Sequence, residues 1–417
     1  MDLQKEFNDI IIPYTDIPLL FIEGGIYSIS ARCFGQFFII SKSRRKRPNL
    51  YMIFSSAPGV GRRGDLLSYI NKVVLTAIDY YSHETKIDDA SIKNMKIAQM
   101  LEGGSPEGLA DKLAWLRERE INNICLSSSE MGRIFSAIQN AHDYMSDYDK
   151  ILCKVWSGEP LYDCFSKRGK KSKDDRYVEE GTYFNICSTM QKIKNYFNGK
   201  MSQTGFVRRL LINSIDGSDI KDWKAPMGYD DDNLHKELNE FGKRIGTVMI
   251  GYASRVVKNK CKLLDLVPTQ DVIDRINKYA EHWDKLVRED DENPYYLYQQ
   301  TRWEYAAKVS GNCALLHGKT CIDISDVEKS IPFIDARTKD IRTELEKQMI
   351  LPKMRDRENH LQKIMKYFSK GLTNKETQQR MIGYGIHAEN YNEYKKILLE
   401  DGKIKINKNG GFDVIDL

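Results

Sequence analysis

The chain is short of histidine, scatters its cysteines and has no long apolar run, and each shortage removes a class of protein. No apolar stretch approaches the roughly 18 residues that a membrane-crossing helix needs, so no membrane partner is expected. The seven histidines include no i, i+4 pair and the eight cysteines no Cys-x-x-Cys, which leaves no metal site to expect. Cys125, Cys153 and Cys187 lie among apolar residues, as free buried thiols do, and point to a reducing, cytoplasmic compartment. The opening Met1-Asp-Leu-Gln-Lys-Glu6 is polar and acidic, unlike a secretory signal. There is no internal repeat, and the eleven prolines form no linker-like stretch, so a compact chain of several parts is expected. No Ser/His/Asp, Cys/His or paired-carboxylate constellation stands out, which argues against a metabolic enzyme.

What is present suits a soluble globular protein. The 417 residues are 41% hydrophobic and 29% charged, with a mean hydropathy of -0.53. At roughly 100–200 residues per domain, two or three domains are expected. The net charge of +5 permits nucleic-acid binding without demanding it, so the distribution of charge matters more than its sum.

The pattern reads as an α/β fold: a parallel sheet with helices on both faces, then a helical lid, then a small C-terminal domain. Residues 1–48 read as a helical N-terminal segment ending in the basic run Lys42-Ser-Arg-Arg-Lys-Arg47, either a DNA contact or a subunit contact. Residues 49–232 carry the apolar strands. Asn49-Leu-Tyr-Met-Ile-Phe-Ser55 is a buried strand, Ile121 to Glu130 a second ending in a polar cluster, and Thr182 to Thr189 a third. Residues 233–350 read as almost wholly helical. Residues 351–417 show a capping box at Thr373-Asn-Lys-Glu376, two further helices and a terminal hairpin at Asn409-Gly, which is the winged-helix arrangement.

Between the first strand and a helix with apolar residues at Leu66, Leu67, Ile70, Val73, Val74 and Ala77 stands Ser56-Ala-Pro-Gly-Val-Gly-Arg-Arg-Gly64. Strand, glycine turn and helix follow each other as a phosphate-binding loop requires. Against G-x-x-x-x-G-K-[ST], Gly61 takes the second glycine, Arg62 the lysine and Arg63 the hydroxyl position, and Ser56 replaces the first glycine. Pro58, Gly59, Val60, Gly61, Arg62, Arg63 and Gly64 are thus candidates to hold the phosphates of ATP; the alternative is an ordinary glycine turn. Arg63 cannot supply the hydroxyl that holds Mg²⁺, and Ser129 stands where an Asp would act through that ion, while Glu130 remains to polarise water. Glu130 reads otherwise as a solvated carboxylate at a strand end.

This order of parts resembles the minichromosome-maintenance-like helicases of the AAA+ class, including relatives in plasmids, viruses and integrated elements. Gly104-Ser-Pro-Glu-Gly-Leu109, Asn49-Leu-Tyr51 and Thr204-Gly-Phe-Val-Arg-Arg209 are the stretches that carry it. The resemblance implies an ATPase or helicase in DNA replication, assembled as a ring such as a hexamer on DNA. It also implies roles for single residues. Ser188 or Thr189, with Asn185 nearby, would fall near the sensor 1 position. Arg208 and Arg209 would match the arginine finger that reaches a neighbouring subunit's phosphate, and Arg302 the sensor 2 arginine. Two solvated arginines at a surface helix start are the other reading of the first pair. Lys167, Arg168, Lys170, Lys171 and Lys173 would face DNA in the ring channel, although such runs are usually solvated. In the winged helix, Lys395 and Lys396 on the third helix and Lys403, Lys405 and Lys408 on the wing are candidates for phosphate contacts. The altered loop leaves two rivals open: a DNA-binding scaffold or initiator with a vestigial ATPase fold, and a non-hydrolysing partner subunit that lends its arginines to an intact ATPase.

Overall fold

A computed structural model describes residues 2–41, 46–139, 147–159, 182–192, 205–215, 231–291, 293–384, 386, 388–407 and 411–415. The basic segment 167–173, residues 42–45 and Lys408 to Gly410 lie outside them. The chain divides into two compact units, Met1–Leu345 and Glu346–Leu417. It is a mixed α/β protein with parallel sheets, and among the described residues no helix is long and apolar enough to cross a membrane.

The first unit is built on a four-stranded parallel sheet in the order β3-β4-β2-β5. The strands are β2 (Tyr51–Ser55), β3 (Asn123–Leu126), β4 (Tyr183–Met190) and β5 (Leu211–Ser214). All residues of β2 and β4 are buried, as expected of parallel strands covered on both faces. Register is fixed by Tyr51 opposite Ile186 and Met52 opposite Leu211. At the β3 edge Leu101 adds a parallel bridge to Leu126. After β2 the chain enters α3 (Arg63–Glu84), which packs along α8 (Asp231–Lys258). Gly242 and Gly246 permit that approach: a Cβ on Gly246 would stand 2.9 Å from the Ala77 carbonyl oxygen.

Two parts add to the sequence reading. The N-terminal segment is helical and is built into the first unit. Its helices α1 (Leu3–Ile11) and α2 (Leu19–Cys33) belong to the main core, and α2 buries twelve of its fifteen residues. Phe21 meets Phe54 of β2 edge-on at 5.4 Å, a contact worth about 0.5–1.5 kcal/mol beyond its area. The stretch read as almost wholly helical also contains β6 (Leu264–Pro268) and β7 (Cys321–Ile322), which join β1 (Phe38–Ile40) in a second parallel sheet ordered β1-β6-β7. Around it stand α9 (Gln270–Glu289), α10 (Pro294–Gln299) and α11 (Arg302–Leu316).

Helix α12 (Ile324–Ser369) supplies residues to both units. The second unit adds α13 (Asn374–Gly383), α14 (Ala388–Glu400) and the antiparallel pair β8 (Ile404–Ile406) with β9 (Phe412–Val414). Thr373 and Glu376 form the capping box read from the sequence. Ile364, Phe368, Met381, Ile386, Tyr391, Leu398 and Ile404 make a core of its own.

Candidate functional site

The glycine turn caps β2, a strand interior to the sheet, at its carboxyl end, where open parallel sheets bind ligands. Gly59, Gly61 and Arg62 all have positive φ (75°, 71° and 44°), which reverses the chain directly into the first turn of α3. A Cβ at 61 would also overlap the tip of the Ile215 side chain just beyond β5, which would have to shift. Pro58, Gly59 and Gly64 are exposed, and Val60 is half-buried.

The two arginines do not point outward together. Arg62 Nε lies 2.6 Å from the Asp16 carboxylate. Arg63 turns back over the loop: its Nη1 donates to Ser56 Oγ and the Ala57 carbonyl, each at 2.8 Å, and to the Ser56 carbonyl at 3.2 Å. Ser56 Oγ in turn donates to the Val60 carbonyl at 2.7 Å. The residue at the hydroxyl position therefore binds the loop itself, and the loop directs carbonyl oxygens rather than amides at that guanidinium. Neither the hydroxyl nor the strand-end Asp that would hold Mg²⁺ is present, so the residues do not fit that ion and no step is derived through it.

Glu130 lies beyond the carboxyl end of β3, on the same sheet edge as the glycine turn because β2, β3 and β4 are parallel. Two strand spacings, about 10 Å, separate the strands that lead to them. Glu130 is exposed and ion-paired with Arg133, one turn into α6 (Met131–Gln139). It lines a cavity of about 440 Å³ with Glu102, Gly103, Gly104, Ser128, Ser129 and Tyr148. The structure thus brings Gly104, the first residue of the Gly104-Ser-Pro-Glu-Gly-Leu109 segment, to the cavity beside Glu130. Within that segment Ser105 caps α5 (Pro106–Arg117), its Oγ accepting from the Gly108 amide at 3.1 Å. Tyr148 anchors the other side, accepting from the Gly104 amide at 3.1 Å.

The sensor candidates on β4 are committed to backbone. Ser188 Oγ donates to the Leu126 carbonyl at 3.1 Å and accepts from the Ser128 amide at 3.1 Å. Thr189 Oγ1 donates to the Ser129 carbonyl at 2.8 Å. Asn185 is buried and accepts from the Leu50 amide at 3.0 Å. These bonds shape the turn that presents Glu130.

Arg208 and Arg209 fall on a 3-10 turn, Val207–Arg209, directly before β5. That places them at the amino end of the sheet, across it from the glycine turn. Arg209 Nη1 donates to the Gly205 carbonyl at 2.8 Å and lies 3.4 Å from Cys153 Sγ. Arg208 Nε is buried and has no hydrogen-bond partner among the described residues. Arg302 is fully buried, away from any phosphate loop. Its guanidinium donates to the Leu210 carbonyl at 2.9 Å and the Arg208 carbonyl at 3.1 Å and lies 3.7 Å from the Tyr298 ring centre. It fastens the Arg208–Arg209 turn to α11.

Several polar residues that carry the interior are not legible as motifs. Arg32 on α2 donates to Asn71 Oδ1 at 2.8 Å and to the Gln99 carbonyl at 2.8 Å, linking α2, α3 and α4 (Asp89–Gln99). Lys308 is buried beside Glu304 (3.4 Å), donates to Asn49 Oδ1 at 2.6 Å and lies 3.4 Å from the Trp156 ring centre. Burial pushes its ammonium down to about 7, against the pull of Glu304. Lys46 joins the same carboxylate at 3.3 Å, and Arg47 donates to the Gln36 carbonyl at 2.9 Å, so the described end of the 42–47 run is tied into the first unit. Burial pushes the Cys33, Cys125 and Cys153 thiols up to about 12, which makes them packing groups rather than nucleophiles.

Cys313, His317 and Asp326 place donor atoms within 4.8 Å of one another. Each has an ordinary partner. His317 caps α11 with Nδ1 2.8 Å from the Cys313 carbonyl, and Asp326 accepts from Lys319 at 3.2 Å and from the Asp323 amide at 3.1 Å.

In the second unit Lys395 Nζ approaches Asn374 Oδ1 at 3.5 Å, and Lys396 pairs with Glu400 at 3.7 Å. Lys403 and Lys405 are exposed at the β8 end of the hairpin. No protein-family model matches the chain, and no curated protein matches it.

Proposed function

We propose that the chain is an AAA+-type, minichromosome-maintenance-like protein that acts on DNA in replication, with a phosphate loop held shut by its own Arg63. One observation carries the reading. A strained glycine turn stands at the carboxyl end of an interior parallel strand, on the amino end of a 22-residue helix, with Glu130 on the same sheet edge. Helix amino termini and such sheet edges are where phosphate groups bind. Displacement of Arg63 from the Ser56 and Ala57 carbonyls would be needed before a triphosphate could settle. ATP binding is then weakened by the population of the shut loop.

The non-hydrolysing partner-subunit reading is favoured by a separate observation. Arg208 Nε is buried without a partner among the described residues, and the Arg208–Arg209 turn lies across the sheet from the chain's own loop. Such a turn can serve a phosphate only on another chain.

Titration with a fluorescent ATP analogue tests the loop. Arg63→Ser should bind at least about tenfold tighter than the wild type. Absence of binding by both proteins would sink the phosphate-loop reading. Steady-state ATP hydrolysis with and without single-stranded DNA tests competence: turnover near background is expected. DNA-stimulated turnover lost in an Arg208→Ala, Arg209→Ala variant would instead establish a working ring motor.

A further inference from the structure

The second unit separates its charge in an unexpected way. Helix α14, the third helix of the unit, is the obvious candidate to face nucleic acid, yet residues 388–401 hold four acidic residues against two lysines. Both lysines are engaged, Lys395 near Asn374 and Lys396 with Glu400. Residues 359–387, the end of α12 and all of α13, hold five Lys and Arg against a single acid, Glu376. That carboxylate is turned to the start of α13, accepting from the Thr373 amide and hydroxyl at 2.8 Å each.

Cations and rings alternate on this surface. Lys363 Nζ lies 4.5 Å from the Tyr384 ring centre, and Arg380 Cζ lies 5.5 Å from that of Tyr367. Lys363, Lys366 and Arg380 are exposed and make no ion pair among the described residues. Tyr384 is 59% exposed, large for an aromatic side chain that packing alone would place. A hydrogen bond with Tyr367 holds the Tyr384 phenol below its ordinary value, and the charges of Lys363, Arg380 and Lys366 act in the same direction.

We infer that the surface formed by Lys363, Lys366, Tyr367, Arg380 and Tyr384 binds single-stranded nucleic acid, with the cations on the phosphates and Tyr384 stacking on a base. Exposed rings set among cations are how single strands are held without sequence readout, whereas a duplex offers no free base face. The inference takes its partner class from the DNA reading above but not from nucleotide handling. Failure of the ATP test leaves it standing.

The test is fluorescence anisotropy of the full chain with labelled oligothymidylate and with a labelled duplex, over a range of salt. Lys363→Ala with Arg380→Ala should weaken oligothymidylate binding about tenfold and flatten the log–log salt slope by about 1.4, two single-strand phosphate contacts. Tyr384→Ser should cost at least about fivefold on the single strand and leave the duplex unchanged. Lys363→Arg with Arg380→Lys should bind like the wild type, which separates lost charge from lost folding. Lys395→Ala with Lys396→Ala should stay within about twofold. Wild-type affinity in the Lys363/Arg380 and Tyr384 variants, loss only in the Lys395/Lys396 variant, or no oligothymidylate binding by the wild type would each overturn the inference.

Discussion

A guanidinium drawn onto backbone carbonyls is a structural part before it is a ligand, and both Arg63 and Arg302 are placed so. Hydrogen bonds from charged donors contribute roughly 1.5–3 kcal/mol, and stranding buried acceptors costs a further ~1–3 kcal/mol. Arg302 is therefore first an anchor for the turn that carries Arg208 and Arg209. Lys308 is the converse case, a cation whose burial outweighs its partners. Its pKa is about 7 in the fold against 10.5 for the free side chain. Between those values the unfolded chain binds more protons than the native one, so stability from this group rises with pH through that window. Below about pH 7 both states carry the proton and the burial penalty is present in full. In Lys308→Met the dependence disappears. Thermal unfolding from pH 7 to pH 10 should show the wild type gaining on the variant steadily. A melting-temperature difference that stays flat over that range would show that Lys308 titrates normally.

At the scale of elements, the glycine turn offers a paired test, because two of its glycines face opposite circumstances. Gly61 has φ 71° and a Cβ would overlap Ile215, whereas Gly64 lies in the first turn of α3 with nothing within 4 Å. Gly61→Ala should lower stability by about 1–3 kcal/mol and disturb the loop. Gly64→Ala should raise stability by about 0.4–1 kcal/mol, through the unfolded chain. Chemical denaturation distinguishes them, and equal effects would mean that the turn is not held as described. The β2–turn–α3 unit was legible because an apolar run, clustered glycines and helical spacing are local signals. So were the Thr373 capping box and the terminal hairpin strands. The β1-β6-β7 sheet was not. Its strands have two to five residues, and β1 pairs with residues more than two hundred positions away, at Phe38 opposite Leu264. In β6 burial alternates, but over five residues that include Asp265 and Pro268 the pattern is too brief to separate from a loop. The closure of the loop by Arg63 was illegible for another reason. The sequence shows a cation where a hydroxyl belongs, but only the positive φ at Arg62 and the fold of the turn decide that it bends back onto Ser56 and Ala57.

At the scale of the whole molecule, two separate cores imply two unfolding events. The main core runs from Leu3 to Leu345, and the second is built from Ile364, Phe368, Met381, Ile386, Tyr391, Leu398 and Ile404. The second unit, Glu346–Leu417, has roughly 70 residues, for which unfolding enthalpy near 60 °C should be about 50 kcal/mol. A core of that size gives only a few kcal/mol of net stability, so truncating one fully buried side chain removes a large part of it. Met381 is fully buried there, and Met381→Ala should cost about 2–5 kcal/mol. Differential scanning calorimetry should resolve a small transition and a larger one, and the variant should lose or shift only the small one. The larger transition belongs to residues that Met381 does not stabilise, so its midpoint should hold within a degree or so. If both transitions moved together, or a single one absorbed the change, the two units would fold as one cooperative body. The charged surface of α12 and α13 would then have to be read as part of that body rather than as the face of a separately stable module.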